Sequence, residues 1–270
     1  MHQFEPQYMQ LVRDCLTMPK RKIRNGYAQS LFGYQLKVSL LDGFPLLVGR
    51  KCFYKGVFGE LAAMLRGPTH IEDFTEWGCN YWGKWADADG NINVDYGNTW
   101  LDFNGVNQLE ELRKTLKSNP TDRRMVISGW KPDNISSLSL PCCHYAYQFY
   151  VDSDNQIHMA WIQRSVDVMI GLPSDILFAA AWLMAIANEF GLSPGTITLQ
   201  LGDCHVYNEH IDGAARYLRQ AESRIVHYDS VPASAIMTVP VGLKFENFEP
   251  SWIAVSDYEP SPGINFLLKD

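Results

Sequence analysis

Residues 171–190, GLPSDILFAAAWLMAIANEF, constrain the fold more than any other stretch. Every position from Ile176 through Ala185 is apolar, so a helix made from them has no polar face and belongs inside the molecule. Pro173 opens that helix and Gly191 closes it, the usual punctuation of a start and a stop. The uninterrupted apolar run is shorter than the ~20 residues of a membrane span. Asp175 then falls in the first turn of a dry element. Acids there meet unpaired backbone N–H groups and the positive end of the helix dipole, so on the residues alone capping is its ordinary explanation.

A helix of this kind needs a sheet and further helices around it. FEPQYMQLVRDCLTM, YKGVFGELAAMLRG and NQLEELRKTLKSNP read as helices, the second stopped by Gly67 and the third by Pro120. SLFGYQLKVSLL, RRMVISGW and TITLQLGD have strand character, and HYAYQFYVDSDNQIHMAWIQR is a strand pair joined at Asp154-Asn155. NEHIDGAARYLRQAE is again helical. Helices and strands mix without strict alternation, which predicts an α+β fold. No linker, repeat or low-complexity tract interrupts the 270 residues, so residues 1–270 are expected to form one domain.

The net charge of −7 argues against wholesale binding of nucleic acid, and any anion site has to be local. The N-terminus, MHQFEPQYMQLVRDCLTMPKRK, lacks the basic start and apolar core of a secretory signal. The six cysteines show no CxxC or Cys/His ligand spacing, so neither a metal site nor a disulfide framework is expected. A reducing, cytoplasmic setting fits them best.

SLPCCHYAYQFYV sets two thiols beside an imidazole. On a strand, neighbouring side chains point to opposite faces, so a Cys143–His144 dyad is geometrically poor. A thiolate of lowered pKa beside fixed positive charge is the alternative, and Arg164 in WIQRSVD is the candidate. A buried inert cysteine is the commoner case.

The motifs PCCHYAYQFYV, QRSVDVMIGLP, GLSPGTITLQLGDCHVYNEH and YWGKWADADGNINVDYG occur in the order and spacing of one family. LFGYQLKVSLLDGFPLL, GELAAMLRGPTH, NPTDRRMVISGW and YEPSPGI join them. Together they resemble the thymidylate synthases, from about Arg24 to the C-terminus. The resemblance implies a single domain with a mixed sheet packed on helices, paired sheet to sheet in a homodimer. It also implies attack of a cysteine thiolate on carbon 6 of a pyrimidine nucleotide, followed by one-carbon transfer from 5,10-methylenetetrahydrofolate to carbon 5. The thiolate matches Cys143; Cys142 stands where relatives commonly carry proline. Covalent addition is needed because an unactivated carbon 5 is a weak nucleophile.

By the same resemblance, Arg164 and an N-terminal arginine bind phosphate within the subunit. Arg24 is the match, with Arg21 as the alternative because the loop is one residue shorter. Arg123 and Arg124 match the pair donated across the dimer interface, and guanidinium forks suit a dianion. Ser165 adds a phosphate hydrogen bond, and His205 and Tyr207 hold the sugar 3′-hydroxyl. Glu60 orders water and relays protons, with burial raising its pKa, and Tyr96 removes the carbon 5 proton. Asp167 and Gly171 meet the folate, and Trp82, Trp85, Leu140 and Ser174 line its pocket.

Asp175 stands where thymidylate enzymes generally carry asparagine. An amide both donates and accepts, as uracil requires, whereas a carboxylate only accepts. Against the 4-carbonyl of uracil that is repulsive; against the exocyclic amine of cytosine it is complementary. The mismatch costs ~1–3 kcal/mol. Aspartate here resembles the cytidylate hydroxymethylase branch of the family, so base recognition displaces capping as the expected role, with dCMP or CMP as substrate. Ser174 in place of phenylalanine and a tail ending in Lys269 and Asp270 suggest a wetter site, hence water addition and a hydroxymethyl product. Methylation of dUMP to dTMP, or of dCMP, is the alternative outcome.

Overall fold

The computed structural model describes residues 2–227 and 232–269. Helix α1 (Phe4–Thr17) leads into strands β1 (Lys20–Ile23) and β2 (Gly26–Ser39). Helices α2 (Tyr54–Met64), α3 (Ile71–Thr75), α4 (Asp95–Leu101) and α5 (Gln108–Ser118) follow. Strands β3 (Val126–Ser128), β4 (His144–Val151) and β5 (Gln156–Asp167) precede helix α6 (Gly171–Phe190), strand β6 (Ser193–Tyr207) and helix α7 (Ile211–His227). Strands β7 (Ser234–Met237) and β8 (Ile253–Ser256) form a separate antiparallel pair. The main sheet runs β1-β2-β6-β5-β4-β3. It is mixed: β5 and β6 are parallel and the other neighbours antiparallel. The α+β expectation holds.

The parallel pair exists because α6 carries the chain back across the sheet between β5 and β6, as parallel neighbours require. Leu172 and the run from Ile176 to Asn188 are buried. By length and hydropathy α6 would also qualify as a membrane span, but 83% of that window is covered by the fold. Its apolarity is that of a core helix. Trp182 stacks on Trp100 of α4, with ring centroids 4.6 Å apart, and alternate residues of the sheet (Trp161, Leu199, Leu36) complete the core. The opposite face, with Ala160, Ile162, Thr198 and Gln35, is only partly covered or exposed.

One boundary differs from the sequence expectation. α6 begins at Gly171, two residues before Pro173. A proline within the first turn costs nothing, because its missing N–H lies among the groups without a helical partner. Asp175 therefore sits beyond the first turn and caps nothing. The N-cap residue Ile170 makes no side-chain cap bond; Asp167 Oδ1 accepts instead from Met169 N at 2.8 Å and Ile170 N at 3.1 Å, in the turn that leads into the helix.

Candidate active site

The carboxyl ends of β5 and β6, the first turns of α6 and the approach to β4 surround a cavity of about 700 Å³. The β5–β6 register sets Ser165 beside Asp203 and Asp167 beside His205, while β2 brings Ser30 opposite His205 and Ala28 opposite Tyr207. Cys143 precedes β4, and its backbone N–H donates to the Tyr96 hydroxyl at 2.8 Å. Arg164 reaches over from β5: its Nε donates to Cys142 O at 2.8 Å and its terminal nitrogen to Pro141 O at 3.1 Å. The guanidinium is thus clamped to the loop that carries the thiol.

The expected depression of the thiol is not met. Burial pushes the Cys143 pKa up, and Arg164 and the Tyr96 hydroxyl pull it only part of the way back. The neighbouring imidazole offers no help. His144 is buried against Tyr96 and Trp161, its Nδ1 lies 2.6 Å from the Tyr147 hydroxyl, and burial drives its pKa down to about 3. It stays neutral.

Two carboxyls share the interior. Glu60 accepts from the Tyr81 hydroxyl at 2.6 Å and from Trp82 Nε1 at 2.7 Å. Burial raises it to about 7 despite both bonds. Asp175 Oδ2 accepts from Gln163 Nε2 at 2.7 Å. Burial also raises it to about 7, helped by the charges of Glu60 and Asp167 and opposed by the Gln163 bond. Groups that change charge near neutrality suit proton transfer.

Arg24, Arg164 and Ser165 line the cavity together with Arg21, whose guanidinium is ion-paired to Asp203. His205 Nδ1 lies 3.2 Å from Asp203 Oδ1, and Tyr207 receives a bond from Asn25 at 3.3 Å. Trp82, Trp85, Leu140, Asp167, Gly171 and Ser174 line the cavity as well. Trp82 is mostly core, stacked on Phe74. Arg123 and Arg124 are not among the lining residues: both are exposed just before β3, and Arg124 forks onto Asp122 of its own chain.

The C-terminal tail is docked rather than free. His210 Nε2 meets Leu267 O at 2.8 Å, Lys84 donates to Leu268 O at 3.0 Å, and Lys269 pairs with Glu209 at 2.7 Å. Leu268 and Lys269 line the cavity; Asp270 lies outside the described residues. Sequence reasoning passed over Tyr81, Gln163 and His210. Each sits inside a quoted motif, but only the fold reveals its partner.

A family model for thymidylate synthase matches residues 6–269. The Cys143 thiol, two carboxyls titrating near neutrality and an arginine-lined wall share one cavity in a chain matched almost end to end, and the protein belongs to the thymidylate synthase family, which transfers a one-carbon unit from a folate to a pyrimidine nucleotide.

Proposed function

We propose that this protein acts on a cytosine nucleotide, dCMP or CMP, and leaves a hydroxymethyl group on carbon 5. The observation that carries this reading is Asp175: a carboxyl in the cavity wall where family members that read uracil present an amide. Its ionised form has only lone pairs to offer, which match an exocyclic amine and repel a carbonyl, and its protonated form can also donate to the bare N3 of cytosine.

The chain's own groups account for the steps. The arginines and Ser165 anchor phosphate, while His205 and Tyr207 hold the sugar, so carbon 6 meets Cys143 in a fixed pose. The thiol passes its proton to solvent and its sulfur bonds carbon 6 as the C5–C6 double bond opens, a bond broken again when that double bond reforms and the thiol is released; N3 takes a proton from Asp175, whose raised pKa keeps one available near neutrality. Electron density then collects on carbon 5. Methylenetetrahydrofolate supplies the one-carbon unit when bound. The residues present suit it: Trp85, Leu140 and Ile170 give an apolar wall and Asp167 an acceptor for an amino-bearing ring. Tyr96 serves the proton leaving carbon 5. Glu60, titrating at about 7, holds the water that completes hydroxymethylation. Ser174 and Lys269 make the cavity wall more polar, which favours water over hydride.

The proposal includes a homodimer in which Arg123 and Arg124 complete the partner's phosphate site, in keeping with their exposure here. The six free cysteines suit a reducing, cytoplasmic setting. Tritium release from carbon 5 of dCMP, CMP and dUMP, with product mass, is the test. Release from a cytidylate and a hydroxymethyl product support the reading. The second reading, methylation of dUMP, is favoured by one observation: the neutral acid of Asp175 has an O–H to donate. Release from dUMP alone would establish it instead.

A further inference from the structure

Gln163 is buried on β5 with both amide hydrogens and its carbonyl oxygen engaged. Its Oε1 accepts from Trp161 Nε1 at 3.0 Å. Its Nε2 donates to Asp175 Oδ2 at 2.7 Å and to Ser165 O at 3.2 Å. The two ends of an amide are alike in shape, but an indole N–H can only donate. Oε1 must therefore face Trp161, and both amide hydrogens are committed to Ser165 O and Asp175. Asp175 Oδ2 is held as an acceptor, while Oδ1 has no hydrogen-bond partner among the described residues.

We propose that Trp161 and Gln163 are positioning residues for base discrimination: they pin Asp175 Oδ2 as an acceptor, confine the carboxyl's proton to Oδ1, and so present donor and acceptor to the base in one fixed order. This rests on the reading that Asp175 faces the base. A free carboxylic acid chooses which oxygen carries its proton. It would match cytosine by donating to N3 and accepting from the amine, or match uracil by donating to the 4-carbonyl and accepting from N3–H. A pinned acid keeps only one of these orders, and with Oδ1 toward N3, as proton transfer to N3 requires, that order is the one for cytosine.

The restriction matters because the neutral acid is within reach. The ionisable groups around Asp175 are Glu60 from α2, Asp167 from β5, and Cys143 and Tyr147 at and on β4. All become anionic or stay neutral, so none stabilises the Asp175 carboxylate. The Arg164 cation acts on Cys143 and is fastened to the loop before it.

The test is the ratio of kcat/KM for cytidylate to that for uridylate, read by tritium release from pH 5.5 to 8.5. In the native protein a ratio that stays flat as Asp175 protonates is expected; uridylate gaining on cytidylate below pH 7 would overturn the pinning. Gln163→Met keeps the size but removes both donors, and Trp161→Phe frees the amide to turn. Each should lose about tenfold of discrimination on the acid side, the worth of one mismatched polar contact. A purely structural role would slow both substrates together and leave the ratio unchanged, and that result also overturns the proposal. Asp175→Asn separates the two layers. If it leaves the ratio as it is, the base reading falls and the pinning with it. If it inverts the ratio while the other two variants do not move it, the pinning alone falls.

Discussion

Asp175 and Glu60 line a cavity in which burial disfavours their charge, and this has a consequence for stability as well as chemistry. A carboxyl whose folded pKa lies above its unfolded value binds its proton more tightly in the native state. Its contribution is neutral to stability below the unfolded pKa, near 4, and becomes a cost as pH rises to the folded value of about 7. Asp175→Asn should therefore stabilise the protein by about 2–4 kcal/mol at pH 8 and by little at pH 4, measured by denaturant unfolding at both pH values. The same variant should shift base preference toward uridylate by about ten- to hundredfold. Replacing Cys143 by serine should abolish tritium release from every substrate, with binding of the nucleotide retained in a titration. A residual release rate within tenfold of the native protein would remove Cys143 from the mechanism.

The elements that carry these residues are placed by close approaches. Gly97 lies in α4 directly against α2, and a Cβ there would stand 1.7 Å from the Met64 carbonyl oxygen. Gly97→Ala must push α4 away, taking the Tyr96 hydroxyl off the Cys143 backbone. A loss of about a hundredfold in kcat follows from such misplacement, and it is checked by steady-state rates on a variant shown to be folded by circular dichroism. The tail is tied down through a titrating group. Burial pushes His210 down, but the Asp167 carboxylate, 3.7 Å away, and Leu267 O more than offset it, leaving its pKa raised. Tail docking should be strongest below pH 6.5 and weaken as pH rises through the raised value. Amide exchange of residues 264–269, corrected for intrinsic rates, should show it; pH-independent protection would exclude the link.

At the scale of the whole molecule, the sheet has one face on α6 and one only partly covered by the described residues, and Arg123 and Arg124 do not line their own cavity. If the homodimer pairs these faces, mixing inactive Cys143→Ser and Arg124→Ala proteins should restore about a quarter of the native sites, since random exchange makes half the dimers hybrid with one intact site each. No recovery after verified exchange would exclude sharing. Much of the molecule was legible in the linear chain: the α+β class, the helix ending at Gly191, the hairpin at Asp154-Asn155 and the motif residues that meet in one cavity. The first three depend on hydrophobic period and turn chemistry, which are local properties, whereas the cavity residues were marked by the resemblance of the motif set to one family. The thiol's raised pKa, the extra half-turn of α6 that moved Asp175 off the cap, the orientation of the Gln163 amide and the docked tail were decided only by tertiary structure. Each depends on which distant groups fold around a side chain and whether water can still reach it, and neither is written in the residue's own neighbourhood.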